Sequence, residues 1–340
     1  MKLLDIQAAW SQPSINDEGA WRTADQGMSV STMSGITITE QVAVTLSGVD
    51  ACYFLITESL AQLSLILYDR IPGPDGKDTK RRSKDRLAYR LHNRPNDQQS
   101  QFQWVEEMTG CALFRRAAYA EKVYDGTGDA QYIPRQYDRI RTEKINGTSR
   151  LRYAYLEDDG TTWRPILYDD MFVLPGKNLL ERAKESFGLA RAVQTFSARN
   201  WANGVRPSGY LSRDPKTEYS ELGLDNLTDA IKANHIGAYN AGGILSVPDG
   251  VRWNQLGMSN EQAQAVAYSS WTVIDCARHF GVPPYKVGIT DPGAMSNASV
   301  EAQGIELIIF TFMPWVKRWE QSIGRDIIPD DMVQFAEFLL

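Results

Sequence analysis

Three cysteines and three histidines in 340 residues, and no apolar run of membrane-spanning length, set aside several classes of protein. Cys52, Cys111 and Cys276 are odd in number and far apart, so neither a disulfide framework nor a metal-ligand spacing is present. That usage fits synthesis in a reducing cytosol. Met1-Lys2-Leu3-Leu4 is followed at once by Asp5, which breaks any secretory apolar core. The most apolar stretch, residues 305–316, is too short to span a bilayer and contains Glu306, so no membrane role is expected. The chain has no Gly-x-x-x-x-Gly-Lys phosphate loop, no His-Glu-x-x-His helix and no Gly-x-Ser-x-Gly elbow. Gly126-Thr127-Gly128 lacks the third glycine of a dinucleotide fingerprint. His92, His235 and His279 fall in three separate parts of the chain, and the pairs Asp158-Asp159 and Asp169-Asp170 sit beside turns, where Asp commonly caps. No catalytic residue, metal or cofactor is therefore expected. The net charge of −6 argues against tight, static binding of nucleic acid, which needs many Lys/Arg–phosphate contacts.

What is present is a modular α+β pattern. Residues 1–40 are polar with little period, the mark of a flexible arm. Val49, Cys52, Tyr53, Ile56, Leu60, Leu63 and Leu67 fall near one helical stripe, which predicts a helix over 42–68. A basic stretch from Lys77 to Arg94 reads as a solvated linker or as a docking patch for DNA or an acidic partner. A helix over 98–115 follows, with Phe102, Val105, Met108 and Ala112 on one face. Residues 119–175 change period: Asp125-Gly126, Asn146-Gly147 and Asp159-Gly160 divide short alternating segments, which predicts an antiparallel sheet.

Residues 178–203 return to helix, and their broad apolar band implies packing on two sides. Residues 205–258 read as a small α+β module: strands at 208–212, 243–247 and 251–256 and a helix over 218–234. The capping box at Ser259–Gln262 opens another helix, which Phe280-Gly281-Val282-Pro283-Pro284 stops. A Gly- and Pro-containing stretch through Ser299 then leads to a helix that Pro314 interrupts, because proline has no N–H to bond back to Phe310.

Several strings in this order resemble the portal (head-to-tail connector) proteins of tailed bacteriophages, in the branch of long-tailed phages and prophages. They are Leu91-His92-Asn93-Arg94-Pro95-Asn96, Asn203-Gly204-Val205-Arg206-Pro207-Ser208-Gly209, Phe280-Gly281-Val282-Pro283-Pro284, Ser296-Asn297 with Glu301 and Gln303, and Pro314-Trp315 with Arg318-Trp319-Glu320. Their order and spacing, over about residues 49–328, carry the likeness rather than any one of them. Arg116-Ala117 replace the Gly-Asn usual before the sheet-opening Ala-Tyr.

The resemblance implies a wing of helices plus antiparallel sheet (41–176), a first stem helix (177–204), a clip (205–258) and a second stem helix (259–280). It further implies a tunnel loop (281–299), a kinked helix (300–325) and a return strand to the wing (326–340), with the family's crown absent or reduced. It also implies a homo-oligomeric ring, a dodecamer, at one capsid vertex of the virion. Double-stranded DNA passes through the ring without sequence specificity during packaging and ejection. The implied partners are the terminase large subunit, the head-completion adaptor, and the major capsid and scaffolding proteins; assembly takes place in the host cytoplasm. Tyr285, Lys286, Asp291, Met295, Ser296 and Asn297 become channel residues, Pro314 the kink that sets the loop's angle, and Glu218, Glu221, Asp225 and Asp229 the clip surface facing motor and adaptor. Two other readings stay open: an enzyme of unknown, hydrolase-like chemistry built from the scattered acids and histidines, and another ring-forming neck or tail component.

Overall fold

A computed structural model describes residues 22–23, 29–72, 78–126, 128–144, 151–202, 209–213, 251–255, 261–289, 297–329 and 334–339. Strands β1 (Arg22–Thr23), β2 (Ser29–Ser31) and β3 (Thr37–Thr39) lead into helices α1 (Glu40–Val44) and α2 (Ser47–Ala61). Strands β4 (Ser64–Ile71) and β5 (Thr79–Arg82) precede α3 (Arg86–Asn93) and α4 (Gln101–Phe114). Six strands follow: β6 (Ala117–Tyr124), β7 (Ala130–Arg135), β8 (Ile140–Lys144), β9 (Leu151–Leu156), β10 (Trp163–Ile166) and β11 (Met171–Pro175). Helices α5 (Leu179–Arg182) and α6 (Lys184–Ala202), strands β12 (Gly209–Arg213) and β13 (Val251–Gln255), and helices α7 (Glu261–Phe280), α8 (Asn297–Leu307) and α9 (Met313–Asp326) lead to β14 (Gln334–Leu339).

Local chemistry sets several starts. The Thr39 hydroxyl accepts from the Val42 amide at 3.2 Å, Asp85 accepts from Ala88 at 2.8 Å, and Ser100 and Gln103 form a reciprocal capping box. All strand pairs are antiparallel among the described residues, in sheets ordered β1-β8-β9-β10, β11-β6-β7 and β14-β4-β5 and in the two-stranded ribbons β12-β13 and β2-β3.

One large core joins α2, α4, the inner ends of α6 and α7, α9 and the faces of two sheets. At its centre Trp104 of α4 meets Trp319 of α9 edge-on at 5.1 Å, Phe172 of β11 stacks on Trp319 at 5.8 Å, and Phe338 of β14 closes the ring edge at 6.3 Å. The Trp319 indole donates to the Thr109 hydroxyl at 3.0 Å, so its polar atom is satisfied in the interior. A second cluster, of Tyr119, Tyr137, Tyr153, Tyr155 and Met171 among others, lies between the sheets. There Glu121 of β6, 5% exposed, binds Arg164 of β10 through both oxygens (2.6 and 2.8 Å) and Arg135 of β7 at 2.8 Å. That three-way pair staples one sheet to the other.

The structure corrects the sequence reading in four places. The arm expected over 1–40 ends earlier: residues 29–39 form the β2–β3 hairpin, turned by Gly35 at φ +74°, with Ile38 wholly buried. The helix expected over 42–68 stops at Ala61, and 64–71 is β4. Leu65, Ile66, Leu67 and Tyr68 are buried in succession between β14 and β5, and a strand covered on both faces shows no alternation. The basic stretch is not simply linker: Thr79–Arg82 is β5 and Arg86–Asn93 is α3, while Arg82, Lys84 and Arg94 stay exposed. Arg81 pairs with Asp69, Arg86 with Asp129, Arg90 with Asp97 and Asp125, and Lys80 with Glu337. The helix expected over 178–203 is broken at Ala183, after Asn178 in a left-handed conformation (φ +55°). No helix among the described residues is long and apolar enough to cross a membrane.

Candidate functional site

Helices α6 and α7 lie side by side and run in opposite directions. Ser186 bonds His279 at 2.9 Å and Phe187 packs on Phe280, while farther out Ala190, Val193 and Ser197 face Cys276, Val273 and Ser269 across a groove. The inner end is core: Phe187, Ala277 and Phe280 are fully buried. Outward, Phe196, Tyr268 and Trp271 are exposed. Strand β12 follows α6, β13 precedes α7, and the two pair from Gly209↔Gln255 to Arg213↔Val251. The chain between the helices thus leaves and returns at one end of the pair.

The other end of α7 is closed by backbone chemistry. The Val282 amide donates to the Ala277 carbonyl at 3.0 Å and the Gly281 amide to Arg278 at 3.1 Å, with Gly281 at φ +75°. This is a Schellman stop, and its left-handed residue calls for glycine. Pro283 and Pro284 then turn the chain into a short 3-10 turn, Pro284–Val287, that ends at Gly288 with φ +81°.

Three side chains fasten this junction. Lys177 donates to the Phe280 carbonyl at 3.0 Å, the Thr311 hydroxyl donates to the Gly281 carbonyl at 2.6 Å, and the Tyr285 hydroxyl donates to the Gln303 carbonyl of α8 at 2.8 Å. Burial, followed by repulsion from Arg318 and Arg182, lowers the Lys177 pKa to about 8. Burial, then the nearby Glu306, raises that of Tyr285. Between α8 and α9 the helical path passes through a π turn, Ile308–Phe312, in which the Met313 amide bonds Ile308 five residues back. Pro314 follows Met313 as the second residue of α9. The wide turn replaces the α-helical bond that proline cannot make.

Of the residues picked from sequence, Tyr285 is half-buried and spends its hydroxyl on α8, and Lys286 is exposed. Asn297 is the first residue of α8. Asp291, Met295 and Ser296, and the acids Glu218, Glu221, Asp225 and Asp229, lie outside the described residues. The histidines do not converge. His92 bonds the Leu65 carbonyl, His279 bonds Ser186, and His235 is outside the described residues. Asp159 caps its own turn through Thr161 and Thr162. Among the described residues no three His, Cys, Asp or Glu side chains gather as a metal would require. Sequence reasoning missed Lys177 and Thr311. Nothing in their neighbours marks Lys177, and Thr311 stands inside an apolar run.

The phage portal protein family matches residues 47–340. The chain belongs to that family. It is 25% identical over 327 residues to the probable portal protein of Streptomyces phage phiC31, covering 90% of this chain and 69% of that one. It is 24% identical over 305 residues to the portal protein of Enterobacteria phage HK97, covering 86% and 69%. Among solved structures, an HK97-family phage portal protein from Corynebacterium diphtheriae shares the fold at TM-score 0.60 and 18% identity, over 92% of this chain and 96% of that one. A chain in the neck of an empty gene transfer agent particle, computed with C6 symmetry, aligns at TM-score 0.63 and 18% identity, over 93% and 87%. One in the neck of the native particle, computed with C12 symmetry, aligns at 0.61 and 17%.

Proposed function

We propose that this portal-family chain is the repeating subunit of a ring at one capsid vertex, through which double-stranded DNA is packaged and ejected. The observation that carries the reading is the antiparallel pair α6–α7, capped at one end by a β ribbon and at the other by a fastened, Gly/Pro-built junction. Such a subunit holds a loop at a set position while leaving its outer helix surfaces to neighbours. In these terms residues 41–176 with β14 form the wing, α6 and α7 the stem, 205–258 the clip, 281–299 the tunnel loop, and α8, the π turn and α9 the helix behind it.

The stretch 285–298 has one cation, Lys286, and one acid, Asp291. A wall this poor in fixed cations gives phosphate little to hold, and a duplex that must move requires that. The clip meets the terminase motor during filling and the head-completion adaptor afterwards, with Glu218, Glu221, Asp225 and Asp229 as its candidate contact surface. The family is structural, and among the described residues His92 and His279 lie apart rather than in one site.

Purified protein should form rings with a central hole at about a dozen times the monomer mass, seen by light scattering and negative-stain imaging. Shortening residues 288–294 should leave the rings intact and impair DNA packaging or retention in assembled particles. Normal packaging by that variant would remove the channel role from the loop.

A further inference from the structure

Four large apolar side chains stand in solvent on one short segment: Ile305 (52% exposed), Ile308 (41%), Ile309 (50%) and Phe310 (72%). On the opposite side of the same segment Leu307, Thr311 and Phe312 are buried against the body. The strip is therefore held in place by its own subunit and left bare on its outer face. A clustered apolar surface of this kind marks a contact.

The second feature is the groove of about 200 Å³ where α6 and α7 part over the first turn of α2. Gly48, Ala190, Val193 and Val273 form part of its lining, and no charged residue lines it. Beyond it the stem carries exposed Phe196 (51%) and Trp271 (43%). The elements carrying the two features also differ in charge. The segment 297–312 has Glu301 and Glu306 and no Lys or Arg, a net −2. Helix α6 has Lys184, Arg191 and Arg199 against Glu185, a net +2.

The two surfaces belong to different elements of one chain. A closed ring needs that arrangement, because one face of each copy must meet a different face of the next. An isologous contact of strip on strip would instead bring Glu301 and Glu306 of one copy near those of the other. We infer that the occupant of the groove is a second copy of this chain: the Ile305–Phe310 strip of one subunit seats on the α6–α7 groove of the next, with Phe310 entering it. The inference rests on the ring reading and names its closing contact.

Two variants test it. Ile309→Asp with Phe310→Asp spoils the strip, and Phe196→Asp with Trp271→Asp spoils the groove side. All four positions are exposed, so each variant should keep the wild-type circular dichroism spectrum. Under conditions where wild type closes rings, each variant alone should stay monomeric, with ring yield down at least about tenfold. Mixed one to one, the two should form a heterodimer and stop there, since only one sound strip and one sound groove remain between them. As an independent arm, Glu301→Lys with Glu306→Lys should lower ring yield, and adding Lys184→Glu with Arg191→Glu should restore it. Rings from either apolar variant alone, a mixture of folded variants that stays monomeric, or charge reversal without rescue would each overturn the contact while leaving the ring reading standing. Wild type that makes no rings would sink the ring reading, and this contact with it.

Discussion

Lys177→Met probes the junction that holds the loop. The ammonium group donates to Phe280, lies 5.6 Å from the centre of the Trp315 ring, and has Arg318 and Arg182 as charged neighbours. No carboxylate pairs with it among the described residues. Its pKa falls from the ordinary 10.5 to about 8. A lysine depressed in this way destabilises the fold wherever the unfolded chain carries the proton. Between the two values the unfolded chain binds more protons, so stability rises with pH. With those two values the penalty is about 3 kcal/mol near about pH 7 and about 1.4 kcal/mol near about pH 9.5. Wild type should therefore gain about 2 kcal/mol on the Met variant across that interval. Methionine keeps the aliphatic stem against Trp315 and lacks the charge. The loss of a charge-assisted hydrogen bond, about 1.5–3 kcal/mol, offsets the relief near neutrality, so the slope rather than the absolute value is diagnostic. Urea titrations of both proteins at the two pH values, followed by tryptophan fluorescence, give the difference with other titrations cancelling. A change below about 0.5 kcal/mol would refute the argument, because it would mean that Lys177 is as well solvated in the fold as in the unfolded chain.

Glu121→Gln should cost about 3 kcal/mol at neutral pH, since it leaves Arg164 and Arg135 without their buried carboxylate. Burial raises the Glu121 pKa, but the two arginines outweigh it and hold the carboxyl below its ordinary value. The stabilisation is present above that ordinary value and lost as pH falls through the folded one, so acid titration should bring variant and wild type together. Thr311→Val keeps the shape but removes the hydroxyl bonded to Gly281. It should cost about 1–3 kcal/mol and speed amide exchange at Gly281 and Val282, whereas unchanged exchange would show that the hydroxyl does not fasten the turn. Burial raises the thiols of Cys52, Cys111 and Cys276 to about 12. Native protein should therefore react with a thiol reagent near pH 8 far more slowly than urea-unfolded protein, and rapid native labelling would contradict the packing around them.

Helices whose stripes stay in register over three or more turns were legible from sequence: α4, α6 and α7 follow from apolar spacing, caps and breakers. The strand β4 was not. Its run Leu65–Tyr68 is buried on both faces, so periodicity could not separate it from the helix before it. The β2–β3 hairpin was missed because polar Ser and Thr dominate it, and Ile38, the one buried apolar side chain among its described residues, makes no pattern. The ion pairs of the basic stretch were hidden for a different reason. Its partners Asp69, Asp125, Asp129 and Glu337 are distant in sequence, and only the fold brings them to it. At the candidate site the stop at Phe280–Pro284 could be read directly, because backbone chemistry demands those residues. The fastening by Lys177 and Thr311 could not, because it depends on which carbonyls the fold turns toward them. The sequence reading put an interruption at Pro314, and nothing in it indicated the π turn at Ile308–Phe312. Proline dictates only which bond is missing, and Thr311 bonding to Gly281 contributes to the arrangement that replaces it.

The two ends of the helix pair have different sources of order. At the junction, Phe187 and Phe280 are buried, and Lys177, Thr311 and Tyr285 occupy the carbonyls of Phe280, Gly281 and Gln303. The subunit fixes the start of the loop by itself, through the same core that holds Trp104 and Trp319. Toward the ribbon, the apolar side chains of Phe196, Tyr268 and Trp271 are left uncovered by their own subunit. A ring built this way separates two tasks. The start of the loop is fixed within each chain. In the proposed ring the spacing of the outer helices would be set by closure, with the Ile305–Phe310 strip of one copy on the groove of the next. Because the strip continues into the π turn that Thr311 ties to Gly281, a displacement of the loop's base and a displacement of the neighbour act on the same few residues.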